Sequence, residues 1–254
     1  QLGALGPGTW QSLAPSGRVD LVCRYRDTKD RPDDLELVVH LVDVGSDASL
    51  LPHRAEHMTG ELAIADGELT FTDVRAELAG AKFRGTRGRV RSLPAPDGRT
   101  EIAFTVSADD VPIDERFANL FADPLHTAIQ QRRPTGRADI GELQLRFLQP
   151  QPGNPLPLET SIQGEMRLHG LDLTLGEGPE GIRVRDIHGT VVLAPSRVSS
   201  AGGALTGALR SVSLQLFDHP FEAVKADFAA DAERLVMPTL SARWHGGTLD
   251  TGSA

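Results

Sequence analysis

Along most of this chain apolar and polar residues alternate with a period of two, the spacing of a β-strand that buries one face. Val19, Leu21, Cys23 and Tyr25 point one way, while Arg18, Asp20, Arg24 and Arg26 fall mostly on the other. Leu35, Leu37, Val39 and Leu41 repeat the pattern, and the polar run Thr28–Asp34 between the two segments reads as a hairpin turn. Cys23 lies on the apolar side of its strand, which predicts a buried, inert thiol. A second block places Leu62 and Ile64 before Asp66-Gly67, and Leu69 and Phe71 after it. Asp-Gly between two alternating runs is a strong short-range hairpin signal. Ala79-Gly80 predicts another turn, and Ile102, Phe104 and Val106 share one face of a later strand.

The period changes to a helical one over 113–131, where Ile113, Phe117, Leu120, Phe121, Leu125, Ala128 and Ile129 form a stripe. Asp123-Pro124 supplies a cap and a first-turn proline, so two short helices are expected, covering or plugging the sheet. Alternation then resumes. Leu143, Leu145 and Phe147 share a face after a bulge at Gly141-Glu142. Further strands are expected near 159–169, 171–175, 182–186, 189–193, 197–200, 204–217 and 222–228, with Val191, Leu193, Leu214 and Leu216 on their apolar side. Residues 1–16 read as a short helix broken by Gly and Pro.

The halves echo each other. Pro15-Ser16-Gly17-Arg18-Val19-Asp20-Leu21 recurs as Pro134-Thr135-Gly136-Arg137-Ala138-Asp139-Ile140, and Met58-Thr59-Gly60 has a counterpart in Ile187-His188-Gly189. Internal repetition of this kind marks stacked or concatenated units. The expectation is a mainly β chain, a long curved antiparallel sheet, with one or two short helices between two repeat units. The first unit is 1–131 and the second 132–254, with the start of a further repeat near Ala230.

Composition sharpens this picture. Aromatics are only 5% of the residues, so the apolar face must be aliphatic, and 26 glycines with 17 prolines suit many turns. The net charge of −9 argues against a nucleic-acid partner, whose binding rests on clustered Lys and Arg. The basic run Lys82–Arg91 alternates with Gly and apolar residues, as a solvated strand face does. One cysteine allows no intrachain disulfide. The chain begins at Gln1 and contains no run of about 18 apolar residues, so it reads as an internal fragment of something longer.

Candidate chemistry is sparse. His53 and His57 are spaced for one helical face, but Pro52 before them and Met58-Thr59-Gly60 after make that helix short, no Glu sits in the metalloprotease position, and no metal is expected. Asp109, Asp110, Asp114 and Glu115 cluster at an expected helix start, where carboxylates act as caps. His188, His219 and His245 are scattered, and no phosphate-cradling glycine loop precedes a helix. No catalytic residue and no cofactor is expected.

The run Met58–Phe71, continuing through Ala79-Gly80-Ala81-Lys82-Phe83 to Gly85, resembles the AsmA/TamB-like superfamily of bacterial envelope proteins. Ile187-His188-Gly189 through Gly202-Gly203-Ala204 to Gly207 is similar to the same pattern. The resemblance implies a twisted sheet curled lengthwise into an apolar groove that carries phospholipid or another acyl-chain lipid between membranes. It further implies a periplasmic, cell-envelope location with an inner-membrane anchor upstream. The groove would be lined by Val19, Leu21, Leu37, Val39, Leu62, Ile64, Leu69, Phe71, Ile102, Phe104 and Val106, with Leu143, Leu145, Val191, Leu193, Leu214 and Leu216 as second-unit counterparts. The alternative is a structural or adhesin-like scaffold whose apolar face packs into a closed core.

Overall fold

The structure is a computed structural model. It describes residues 15–28, 31–47, 54–93, 97–120, 125–150, 156–176, 181–199, 202–231 and 234–251. The expected N-terminal helix, His53, the Asp123-Pro124 cap and most of the Pro-rich loop at 150–157 lie outside these residues, except where they reach into them.

Alternation over nearly the whole length gives one antiparallel sheet in sequence order. Its strands are β1 (Pro15–Thr28), β2 (Arg31–Ser46), β3 (Ala55–Ala65), β4 (Glu68–Leu78), β5 (Ala81–Ser92), β6 (Arg99–Ile113) and β7 (Thr135–Pro150). They continue as β8 (Glu159–Leu175), β9 (Ile182–Ser199), β10 (Gly202–Gly203), β11 (Leu205–Leu216), β12 (His219–Ala230), β13 (Leu235–Trp244) and β14 (Gly247–Asp250). Each pairs with the next, except that β9 pairs with both β10 and β11. Two helical elements connect β6 to β7: a 3-10 helix (Glu115–Leu120) and α1 (Leu125–Arg132). The sheet crosses this connection unbroken, because β6 pairs with β7 from Arg99↔Pro150 to Ile113↔Gly136.

Tight turns set the meander. Asp66-Gly67, Ala79-Gly80, Phe217-Asp218 and His245-Gly246 all have positive φ at both residues. That is the two-residue hairpin geometry whose twist matches the flanking strands. Bulges supply the curvature. At Gly60 (φ 132°) an added Cβ would stand 2.7 Å from the Val74 Cα, and at Gly189 (φ 131°) 2.7 Å from the Val212 Cα. The opposing residues Asp73 and Ser211 take left-handed φ of 51° and 52°. The two segments that correspond in sequence thus carry the same backbone device.

Several expectations change. The run Thr28–Asp34 is mostly strand, since Arg26 pairs with Asp34 and Thr28 with Arg31. The backbone pairing thus carries the strands through most of a run whose polarity had suggested a turn. Ile113 closes β6 instead of opening a helix. The segments expected as separate strands at 159–175 and 182–199 are single strands, with register shifts absorbing the polar and glycine interruptions. Cys23 is exposed, because β1 is paired on one side only among the described residues.

The core lies on one face. Buried Val106, Leu143, Leu145, Ile162, Leu193 and Val212 belong to one cluster that runs from β5 to β13, with Phe117 and Ile129 of the helical connection packed against it. Among the described residues no second sheet covers this face. Partly buried Phe83, Phe104, Phe147 and Phe228 pack against the same cluster.

Candidate functional site

Pairing register turns the alternation into rows that cross the sheet. One row runs Leu21–Val39–Leu62–Phe71–Gly88–Phe104–Leu145–Ile162–Ser196, one residue from each of β1 to β9. The adjacent row on the same face runs Cys23–Leu37–Ile64–Leu69–Val90–Ile102–Phe147–Thr160–Val198. A third joins Val106, Leu143, Gly164, Leu193, Gly207 and Phe228. Val191 pairs with Leu209, and Leu216 with Val184, further along this face, while Leu214 sits opposite Phe221.

Exposure along these rows is uneven. Val19 and Leu21 on the edge strand are 46% and 61% exposed. Leu37, Leu62, Leu69, Phe71, Ile102, Phe104, Leu214 and Leu216 are half-buried. Val39, Ile64, Val106, Leu143, Leu145, Val191 and Leu193 are buried, Leu143 to 1%. The face is therefore open toward β1, half-open across β3 to β6 and closed across β7 to β9.

Three phenylalanines mark the half-open stretch. The Phe71 and Phe104 ring centroids are 6.3 Å apart, and Phe104 stacks on Phe147 at 6.0 Å. Gly88 lies between Phe71 and Phe104 in register. A Cβ there would fall onto the Ala103 carbonyl and come within 2.6 Å of the Phe104 Cβ and of the Phe71 ring. Its absence lets the two rings close over β5. Phe147, already placed on this face by the alternation, joins these rows, and so do Val90, Ile162 and Val198, which the alternation alone did not single out. Cross-strand register, which the sequence does not print, is what adds them.

The reverse face is polar and ordered by ion pairs. Glu101, 2% exposed, accepts hydrogen bonds from Arg91 Nε at 2.6 Å and Arg146 Nε at 2.5 Å, with Arg89 3.6 Å away. Burial pushes its carboxyl up, but the hydrogen bonds and charges of Arg146 and Arg91 outweigh this and hold it below the ordinary carboxylate range. A cavity of about 610 Å³ opens beside this polar face, lined by residues from β4 to β9.

The acidic cluster divides. Asp114 receives the Arg116 N–H at 2.9 Å and caps the 3-10 helix. Asp109 and Asp110 instead belong to β6 and pair with Arg84 and Arg137 across strands. His57 meets Asp43 at 3.0 Å on an exposed bulge, and the hydrogen bond and charge of Asp43 raise its pKa. His219 and His245, far apart in sequence, meet at 3.3 Å beside the stacked Phe221–Trp244 pair. Among the described residues no three His, Cys, Asp or Glu side chains gather in a metal-binding group. No helix among them is long and apolar enough to cross a membrane.

No protein-family model matches the chain, and neither does any curated protein or solved structure.

Proposed function

We propose that this chain is a non-enzymatic lipid-carrying segment of a cell-envelope protein, holding an acyl chain along the half-open part of its apolar face. The observation that carries the reading is the register: one mainly apolar face continues through nine successive strands, and among the described residues no second sheet lies over it. From the half-buried Leu37 on β2 to Ile102 and Phe104 on β6, four inter-strand steps of about 4.8 Å span roughly 19 Å. The acyl region of one leaflet is about 15 Å, half a hydrocarbon core. The face is long enough for such a chain, and burial at about 25 cal/mol per Å² needs no specific polar contact. Its resemblance to AsmA/TamB-like proteins supports the same role, with transport between membranes and an anchor in the inner membrane outside this stretch.

A second reading, a structural scaffold with a closed core, is favoured by the burial of Leu143, Leu145 and Ile162. Native mass spectrometry of the purified chain separates the two. Carriage requires co-purifying phospholipid that is lost in Phe71→Asp/Phe104→Asp while circular dichroism stays native. A lipid-free protein that takes up no added fatty acid identifies the scaffold.

A further inference from the structure

On the polar face, cross-strand neighbours form the row Arg89 (β5), Ala103 (β6), Arg146 (β7), Ser161 (β8) and Arg197 (β9). Cations on alternate strands bracket two small residues. At about 4.8 Å per strand the arginine positions repeat every ~10 Å. The small side chains at Ala103 and Ser161 leave the floor of the 610 Å³ cavity open, and Arg87, Arg89, Arg146 and Arg197 stand around it.

The charge at the cavity opposes that of the chain. Arg87, Arg89, Arg146 and Arg197 line it against Glu68 alone, a surplus of three positive charges (4 − 1) in a chain of net −9. Glu101 organises the middle of the row by holding Arg91 and Arg146 and approaching Arg89. The ends stay available. Arg87 has no ion pair among the described residues, and Arg197 reaches Glu159 only at 3.9 Å with its side chain 74% exposed.

We propose that this cleft is a binding site for phosphoryl anions, seated over Ala103 and Ser161 between the flanking guanidinium groups. A phosphoryl group offers three acceptor oxygens, enough to receive N–H donors from arginines on both sides of a gap. A planar carboxylate has two oxygens and is satisfied by fewer donors, as Glu101 is by Arg91 and Arg146. The same chemistry reaches the cleft as a lipid phosphate headgroup or as free phosphate. The site lies across the sheet from the apolar face and stands or falls separately from it.

The test is calorimetric titration of the chain with tripolyphosphate at low salt. It is paired with flotation on phosphatidylcholine vesicles with and without phosphatidylglycerol. Binding that weakens with salt is expected. Arg87→Gln/Arg197→Gln, outside the Glu101 network, should weaken it by about tenfold or more, the scale of a lost charge-assisted hydrogen bond. Loss of tripolyphosphate binding in the variant assigns the site to free phosphate. Flotation only with phosphatidylglycerol, lost in the variant, assigns it to a headgroup. If the double variant loses its native circular dichroism, Arg87→Gln alone should weaken binding by about threefold or more. Absence of binding to either probe, or binding that these substitutions leave unchanged, overturns the site.

Discussion

The edge-side strands β1 to β6 and the central strands β7 to β9 carry the same alternation, yet their apolar faces end in different states. Leu21 is 61% exposed and Phe71 half-buried, whereas Leu145 and Ile162 of the same row are 3% and 2% exposed. Side-chain type does not explain this, since leucine occurs at both ends of the row. Cover does. The central strands run 16 to 18 residues, against 11 or 12 for β3 to β5. They are flanked on both sides, and the helical connection packs Phe117 and Ile129 against them. Hydrophobic alternation selects a face, and the neighbours on that face decide whether it becomes core or groove.

The largest effect that would sharpen this contrast comes from paired truncations. Leu143→Ala should cost about 2–5 kcal/mol of unfolding free energy, as expected for a buried leucine. Leu21→Ala should stay within ~0.5 kcal/mol, as at an exposed site. Urea denaturation reads both, and equal costs would erase the distinction between the two regions. Next comes Gly88→Val, which drives a side chain into the Phe71 and Phe104 rings and the Ala103 carbonyl. Overpacking of this kind costs about 1–3 kcal/mol, and acyl-probe binding should fall with it.

Glu101→Gln acts from the polar side. Replacing a buried carboxylate that holds two arginines should cost about 1–3 kcal/mol at neutral pH. The sign of the pH dependence follows from the lowered folded pKa of Glu101. Its stabilisation is complete above the unfolded value of about 4.3 and disappears as pH falls through the folded value. Denaturation midpoints of wild type and variant should therefore converge in acid, and a constant gap down to pH 2 would contradict this. The smallest effect concerns His57, whose pKa Asp43 raises. Its contribution is complete below the unfolded value of about 6.5 and is lost as pH rises through the folded one. Asp43→Asn should bring the NMR titration of the His57 ring back down, and an unchanged midpoint would remove Asp43 as the cause.

Much of the sheet was legible in the sequence. The turns Asp66-Gly67 and Ala79-Gly80, the bulge at Gly141 between Ile140 and Glu142, and the two short helices after β6 all stand where local chemistry places them. Local reading failed where an interruption was absorbed. Gly170 lies within β8, and His188-Gly189 within β9, because a bulge lets a strand continue past a residue that breaks the alternation. Cys23 shows the other limit, since period two names its face without saying that β1 is an edge. The arginine row was out of reach for a third reason. Arg89, Arg146 and Arg197 are distant in sequence, and only the register aligns them.

The comparison between the two regions is tested most directly by paramagnetic NMR with a spin-labelled fatty acid. The label should broaden the methyl signals of Leu62, Leu69 and Ile102 in the half-open stretch and spare those of Leu143, Ile162 and Leu193. Equal broadening in both sets, or none in either, would contradict an acyl-chain groove confined to that stretch.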